Sequence, residues 1–374
     1  MARQSPTLRR PRLGRLARAG VLAWAAILLM GPLTARADAP ETLFGATDPA
    51  CKAVVNAIPA VPPGQISTSP NVHYIGNVPD EPPTATGGVL VGHYFYVTGW
   101  LSFSIYDVID PLHPKLVSKT PVGCRFENED VAGNDNTLIY TDFGTTQTFS
   151  VYDVSKKSAP SSAAVLGDGH GTHTAECLYN CQFAIGSYHL VGPGANPVRG
   201  GDVFDLRHAH DQPTGTVTSL GDWTADFLTK TRGDGQPFGH LPVHDVTEVA
   251  PGLLLTASQP MLLLKVSPDP TTSGDTSGLV HPQLLAQGTN YDRRLHTAIW
   301  PNGGTEKFIL TSYETNAHPV CDSSSGEFAT WDATHWQKDG TFTPVDAYRA
   351  SPGTLTRSTS WGARPTGSRP VPAT

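Results

Sequence analysis

Long apolar runs and helical periodicity are both scarce in this chain. The longest apolar run, Val21–Met30, falls well short of the roughly 20 residues that a membrane-spanning helix needs. No stretch of three helical turns has an amphipathic period, and 37 glycines and 33 prolines are too many for a helical protein. These scarcities exclude a helical membrane protein and a helical bundle, and they favour a fold rich in turns.

Basic residues are scarce outside the N-terminus. Seven of the 26 basic residues lie in positions 1–37, which leaves 19 against 33 acidic residues and a formal net charge of −14 for the remainder. A nucleic-acid partner requires a basic surface, and so does adsorption to an anionic membrane. The composition therefore predicts neither, and it leaves a protein, a glycan or a small molecule as the partner.

The first 37 residues predict a secretory signal peptide. Six arginines precede the apolar run, and Ala35-Arg36-Ala37 supplies small residues for cleavage before Asp38. We expect the protein to be secreted, extracellular or at the cell surface after cleavage near Ala37, with no membrane span in the mature chain.

The chain has five cysteines, and an odd number in an exported protein leaves one without an intramolecular partner. Cys177 and Cys181 are close enough in sequence to bridge across a hairpin or a bulge. The pairing among Cys51, Cys124 and Cys321 stays open, because only two of the three can join each other.

A short phrase, a large apolar residue followed in most copies by Asp, recurs at intervals of 46, 52, 60 and 67 residues. Each copy follows an apolar strand-like run, and such a period is typical of repeat architectures such as β-propellers. We expect the Asp of the phrase to accept backbone hydrogen bonds in the following turn. The copies are Tyr106-Asp107, Tyr152-Asp153, Phe204-Asp205, Leu264-Lys265 and Trp331-Asp332.

The repeats predict an all-β propeller over residues 71–350, between an N-terminal extension at 38–70 and an irregular tail at 351–374. In the first of five recognisable four-stranded blades, strands are expected at Thr84–Val91, Tyr94–Gly99, Phe103–Val108 and Lys115–Val122. Val72–Gly76 is expected to be an N-terminal closing strand. The insertions Thr224–Pro242, Pro268–Ser277 and Asn316–Gly326 are interpreted as surface loops.

The strand-turn phrase Ser104–Lys115 and the run Cys124–Val131 resemble the LVIVD-repeat family of secreted proteins. The resemblance extends over roughly Asn71 to Tyr348. It implies a propeller-like fold and an exposed location, and it implies no particular activity.

The tail lacks the further, sixth blade that this resemblance implies, which would open on a phrase such as Cys-Ser-Ala-His-Trp-Phe. Read in the frame that starts at the last base of the Trp361 codon, the codons of Trp361–Ser368 can encode that phrase. We therefore hypothesise a frameshift that truncates the last blade and removes a sixth cysteine. A native irregular tail is the alternative, and the gene sequence distinguishes the two.

Counting back from the second strand of each repeat aligns four residues with metal-binding side chains. They lie nine to twelve residues before Leu138, Phe183, Leu253 and Phe308, at the start of an inner strand, where they should converge near the propeller axis. Imidazole with carboxylate suits Zn, Fe, Cu or Mn. The aligned residues, called the candidate ligands below, are Glu129, His173, His244 and His296.

Two readings of these residues stay open. They form either a transition-metal site or a structural ring that bonds backbone and water. Asp130, Thr174, Asp245 and Thr297 follow them and are either orienting partners or ordinary strand-start hydrogen bonders. The sequence thus predicts a secreted binding or interaction module, or alternatively a metal-dependent oxidase or hydrolase. The motif His208-Ala209-His210-Asp211 is interpreted as an exposed polar turn.

Overall fold

A computed structural model describes residues 70–76, 78, 85–125, 128–143, 148–167, 171–190, 201–238, 241, 243–289, 295–313 and 327–349. The predicted signal peptide, most of the N-terminal extension and the tail 351–374 lie outside these residues. The described chain is all-β, and its helices are single turns at Ala225–Thr229, Pro270–Ser273, Ser277–Val280, Pro301–Gly304 and Trp336–Asp339. None of these described helices has the length and apolar character to cross a membrane.

The first half of the chain forms three antiparallel sheets. Sheet I is a four-stranded meander of β1–β4, sheet II has three strands, β5–β7, and sheet III has four, β8–β11. Their bounds are β1 Ala85–Val91, β2 Tyr94–Gly99, β3 Ser102–Asp107, β4 Lys115–Pro121, β5 Thr137–Thr141, β6 Thr148–Asp153, β7 Ser161–Gly167, β8 Gly171–Leu178, β9 Phe183–Leu190, β10 Asp202–Asp205 and β11 Thr218–Asp222.

The second half forms one eight-stranded sheet from two antiparallel meanders. Sheet IVa (β12–β15) and sheet IVb (β16–β19) join where β15 pairs in parallel with β19 through Gln287–Thr341 and Gly288–Phe342. The bounds are β12 Val243–Ala250, β13 Leu253–Ser258, β14 Leu262–Lys265, β15 Gln283–Gly288, β16 Leu295–Ile299, β17 Phe308–Tyr313, β18 Glu327–Asp332 and β19 Thr341–Arg349.

Each sheet packs its apolar face on the next one along the chain. Tyr96 and Phe103 of sheet I meet Tyr140 of sheet II, and the rings of Phe149 and Phe204 stack at 4.0 Å between sheets II and III. Two larger clusters fill the spaces between sheets III and IVa and between IVa and IVb. Because apolar burial drives this stacking, the sheets hold their strand starts in fixed positions relative to one another.

The recurring phrase ends a strand in every repeat, as predicted. Its four Asp side chains each accept a hydrogen bond from the backbone N–H two residues ahead, at 2.7–3.0 Å. This confirms their structural role in turns. The accepting residues are Asp107, Asp153, Asp205 and Asp332.

Two strand predictions are wrong. Val72–Gly76, expected as the closing strand, has no strand structure, and none of the described sheets includes it. The segment around Glu129, expected as an inner strand, contributes only an isolated bridge between Gly133 and Leu138. Asp130 interrupts it with a φ of 47°, which is incompatible with an extended strand.

The insertion Thr224–Pro242 is also not a plain surface loop. It contains the single turn Ala225–Thr229, and its apolar side chains Phe227, Phe238 and Leu241 are buried in the cluster between sheets III and IVa. Polar, glycine and proline residues separate these apolar side chains in the sequence, so the insertion resembles a surface loop until a neighbouring sheet covers it. The insertion Asn316–Gly326 lies outside the described residues.

Candidate metal centre

The four candidate ligands come from four separate stretches of the chain, and their side chains meet. His173, His244 and His296 lie on β8, β12 and β16, and Glu129 lies on the irregular segment before β5. The distances from Glu129 Oε2 to the Nε2 atoms of His173, His244 and His296 are 3.7, 3.7 and 3.5 Å. His173 Nε2 and His244 Nε2 are 2.9 Å apart, and the His244 and His296 rings lie 3.8 Å apart between centroids. The structure therefore brings together all four residues that were aligned from the sequence.

Local bulges explain how two of these histidines point inward. The pairing of β12 with β13 shifts register between Val243 and Asp245, and that of β16 with β17 shifts between Leu295 and Thr297. His244 and His296 are thus the extra residues of β-bulges, which change the direction of a side chain relative to its strand. The pairing of β1 with β2 shifts register in the same way at Thr86. The corresponding position of sheet I therefore carries a hydroxyl group.

Close approach of β1 holds the Glu129 segment in place. A Cβ on Gly87 would lie 3.0 Å from the backbone nitrogen of Asp130 and 2.9 Å from Val131 Cγ2, so this position needs glycine. Asn128 is buried beside it and donates from Nδ2 to Gly99 O at 3.1 Å. The backbone of Glu129 is therefore fixed on both sides.

Asn128 and Thr86 are residues that the sequence did not single out. Thr86 Oγ1 lies 2.8 Å from Asn128 Oδ1, and Asn128 Nδ2 lies 3.2 Å from the Tyr140 hydroxyl. These contacts join sheets I and II beside Glu129. The spacing of the repeats places Thr86 at the level of the candidate ligands, but a threonine gives no signal in a search for metal-binding side chains.

Solvent reaches two of the four candidate ligands. The His173 and His244 side chains are 7% and 2% exposed, while Glu129 and His296 are each 29% exposed. Burial raises the pKa of Glu129, but the hydrogen bond from His296 and the charges of His173 and His296 outweigh it, so the net pKa lies below its ordinary value. Glu129 is consequently a carboxylate at neutral pH, the form that binds cations.

Three further carboxyl groups lie behind the candidate ligands. Burial and the charge of Glu129 raise the pKa of Asp130 to about 6. Burial and the charges of Asp130 and Glu176 raise the pKa of Asp245 well above its ordinary value. Burial and the charges of Glu248 and Asp130 raise the pKa of Glu176 to about 8, although Glu176 accepts the backbone N–H of Glu248. Such an interior favours a bound cation.

We predict that Glu176→Gln stabilises the metal-free protein at alkaline pH. The unfolded carboxyl titrates near 4.5 and the folded one near 8, so Glu176 lowers stability progressively as pH rises through that window. Relative to wild type, the variant should gain about 1 kcal/mol or more between pH 5 and pH 8. Urea unfolding in EDTA at both pH values measures the gain.

The exposed Asp339→Asn is the matched control for this prediction, because it also removes one carboxyl group. An equal gain in both variants would attribute the effect to net charge alone. No gain for Glu176→Gln would mean that its carboxyl titrates normally in the folded state.

A disulfide turn, Cys177–Cys181, connects three of the strands or segments that carry candidate ligands. Its S–S bond confirms the predicted pairing. Tyr179 N donates to the Glu248 carboxylate of β12 at 3.0 Å, and Asn134 Nδ2 donates to Asn180 O at 2.9 Å. The turn thus ties the end of β8 to the strand of His244 and to the segment of Glu129. Cys124 is also disulfide-bonded, with a partner outside the described residues.

The motif beginning at His208 forms an exposed turn, as interpreted from the sequence. His208 Nδ1 bonds Asp211 Oδ2 at 2.9 Å, whereas His210 Nε2 bonds Thr137 Oγ1 at 2.9 Å. The two imidazoles thus have different partners, and the turn does not form a chelate.

The described residues form an all-β fold in which three histidines and one carboxylate cluster. No protein-family model and no curated protein matches the chain. The periplasmic gluconolactonase of Pseudomonas aeruginosa has a similar structure at 14% identity and a TM-score of 0.46, covering 71% of this chain and 70% of its own. A protein from Lactobacillus plantarum shows 13% identity and a TM-score of 0.45, with coverage of 68% and 67%.

Proposed function

We propose that this protein is a metal-dependent enzyme, an oxidase or a hydrolase, whose metal centre consists of Glu129, His173, His244 and His296. The observation that carries the proposal is the set of distances among their terminal atoms. Metal bonds of about 2.0–2.2 Å in a tetrahedral site place ligand atoms about 3.4 Å apart. The Glu129 Oε2 atom lies 3.5–3.7 Å from three imidazole nitrogens.

The donor set limits which metal would bind. Three imidazoles and a carboxylate suit Zn, Fe, Cu or Mn. The ligand atoms of Glu129, His244 and His296 all lie within 4.8 Å of one another, and His173 adds a fourth nitrogen 2.9 Å from that of His244. Because the pKa of Glu129 lies below its ordinary value, its side chain is already a carboxylate at neutral pH.

Partial exposure favours a catalytic role over a purely structural one. Structural zinc sites are closed tetrahedra, whereas catalytic sites keep a position for water or substrate. With all four candidate ligands bound, a catalytic metal here would use a fifth position for that molecule. Glu129 and His296 are the two partly exposed ligands, each 29% exposed, so we place that position on their side of the centre. A metal there would act as a Lewis acid or a redox centre on a small molecule that reaches it from that side.

We predict that protein isolated from an oxidising compartment contains close to one equivalent of a transition metal per chain. Elemental analysis after extensive dialysis measures the metal, and dialysis against a chelator should remove it reversibly. If the isolated protein lacks stoichiometric metal, and added Zn²⁺, Fe²⁺, Cu²⁺ or Mn²⁺ does not bind either, the candidate ligands form a structural ring.

The interaction-module reading has one observation in its favour, an exposed apolar face on sheet IVb. Ile299, Phe308, Phe328 and Tyr348 project from the side opposite the core and are about half exposed. Phe328 and Tyr348 are cross-strand partners, so they share that face. If no metal binds, a partner at this face becomes the better hypothesis.

We also propose that the sheets are arranged as a β-propeller with five blades. Among the described residues, four apolar clusters lie between five successive units, which is the arrangement that radial stacking of blades requires. The exposed face of sheet IVb is where a sixth blade would pack. Membership of the LVIVD-repeat family and the frameshift remain proposals, and the gene sequence tests the frameshift.

Export to an oxidising compartment is also part of the proposal. The Cys177–Cys181 disulfide supports it, because disulfides persist mainly outside the reducing cytosol. The predicted cleavage near Ala37 lies outside the described residues, and N-terminal sequencing of the secreted protein tests it.

A further inference from the structure

The backbone carbonyl of His244 is held by two hydroxyl groups from the neighbouring sheet III. Thr174 Oγ1 donates to His244 O at 2.8 Å, and Ser187 Oγ donates to the same oxygen. Thr174 and Ser187 are directly opposite each other in the β8–β9 pair, and their hydroxyls also contact each other. All three residues are buried, so water does not substitute for these contacts.

The bulge at His244 explains why its carbonyl takes these donors. The residue at a bulge is left out of the regular ladder of its own sheet, and a buried carbonyl needs a partner. The shift between Val243 and Asp245 places His244 in that position. The hydroxyl pair therefore stabilises the same local geometry that directs the imidazole towards His173 and Glu129.

Similar contacts recur at the level of two other candidate ligands. Thr141 Oγ1 of sheet II donates to the carbonyl of His173 at 3.2 Å. Thr86 Oγ1 of sheet I lies 2.9 Å from the carbonyl of Asn128, the residue before Glu129. In each case a hydroxyl on one sheet contacts a ligand-bearing backbone on the next, and His244 receives two.

We propose that Thr174 and Ser187 are positioning residues that set the orientation of His244 in the metal centre. This inference rests on the proposed function, because it assigns the two hydroxyls to the geometry of that centre. They act through the His244 backbone and touch neither metal nor substrate. Groups that hydrogen-bond a ligand side chain directly change metal affinity by about 10–100-fold when they are removed, and we expect these backbone contacts to act at the lower end of that range.

The experiment compares Thr174→Val, Ser187→Ala and Thr174→Ser with wild type in the full chain. Each protein is stripped of metal and titrated with Co²⁺, whose visible absorption reports ligand geometry, and with Zn²⁺ in competition with a chelator. We expect Thr174→Val and Ser187→Ala to lower the Zn²⁺ affinity by about 10-fold or more and to alter the Co²⁺ spectrum. Thr174→Ser keeps a hydroxyl and should restore both.

Thr256→Val is the matched control. Thr256 of sheet IVa has a buried hydroxyl that accepts Leu262 N at 3.0 Å and contacts Ser258 Oγ, and neither partner is a candidate ligand. Its loss should lower stability without changing the Zn²⁺ affinity or the Co²⁺ spectrum. If Thr256→Val and Thr174→Val change the Zn²⁺ affinity and the Co²⁺ spectrum equally, general destabilisation explains the effect.

The outcomes separate the two proposals. If wild type binds neither Co²⁺ nor Zn²⁺, the proposed metal centre is wrong and this inference falls with it. If wild type binds both and the Thr174 and Ser187 variants match it in affinity and spectrum, the metal centre stands and the positioning role is overturned. Should Thr174→Val fail to fold, Ser187→Ala alone decides the question by the same criteria.

Discussion

His244→Ala is expected to lower the Zn²⁺ affinity of the metal-free protein by more than about 100-fold. Loss of a residue that only orients a ligand lowers metal affinity by at most about that factor. His244 is the most buried candidate ligand, with its Nε2 atom 2.9 Å from that of His173 and 3.7 Å from Glu129 Oε2. Its removal takes one of four donors from the centre and leaves a cavity at the deepest point. Competition titration with a chelator measures the change.

His208→Ala is the control for that experiment. His208 is an exposed histidine whose Nδ1 bonds Asp211 in a surface turn, so its loss should leave the affinity unchanged. Circular dichroism and thermal unfolding check that both variants keep the fold. An unchanged Zn²⁺ affinity in His244→Ala would mean that the metal binds elsewhere. A lower Zn²⁺ affinity in His208→Ala would mean that the surface turn contributes to binding.

Trp331→Ala is expected to lower the free energy of unfolding by about 3–5 kcal/mol. Trp331 is 1% exposed in the cluster between sheets IVa and IVb, and its indole Nε1 donates to Thr311 Oγ1 at 2.8 Å. The ring lies against Gly288 at the end of β15, where a Cβ would be 3.1 Å from it. Truncation opens a cavity at the junction of the two meanders and leaves a buried hydroxyl without its donor.

Phe328→Ala on the same strand tests the assignment of the two faces. Phe328 is 63% exposed on the opposite side of β18, so its truncation should change stability by no more than about 0.5 kcal/mol. Urea unfolding at one pH, with equal slopes, makes the two values comparable. A loss for Phe328→Ala as large as that for Trp331→Ala would show that this face is covered in solution.

The strand pattern was predictable because alternation and turn chemistry are local properties. The β2 strand, Tyr94–Gly99, has its predicted bounds, and each phrase ends a strand. The failures are non-local. Val72–Gly76 has a strand-like sequence but no sheet edge in the described structure, and Asp130 breaks a segment that its neighbours would continue. The burial of Phe227 likewise depends on a neighbouring sheet.

The candidate ligands were predictable from repeat spacing, because equivalent positions in stacked sheets lie at equivalent levels. What the spacing could not show is how each side chain is directed. The bulge at His244 is defined by pairing with β13, and its hydroxyl donors come from sheet III. Asn128, which fixes Glu129, acts through contacts to sheets I and II. Such cross-sheet relations leave no local signature in a single sequence.

The distribution of the candidate ligands over distant stretches of the chain has a consequence for how the protein matures. His173 and His244 touch although they are 71 residues apart in sequence, and no single hairpin contains two of the four. Contacts of such high sequence separation form slowly and late in folding. A metal bound at the proposed centre would therefore not nucleate this fold as it does a zinc finger, and its uptake would mark the completion of tertiary assembly. Metal content would then serve as an assay of correctly folded chains.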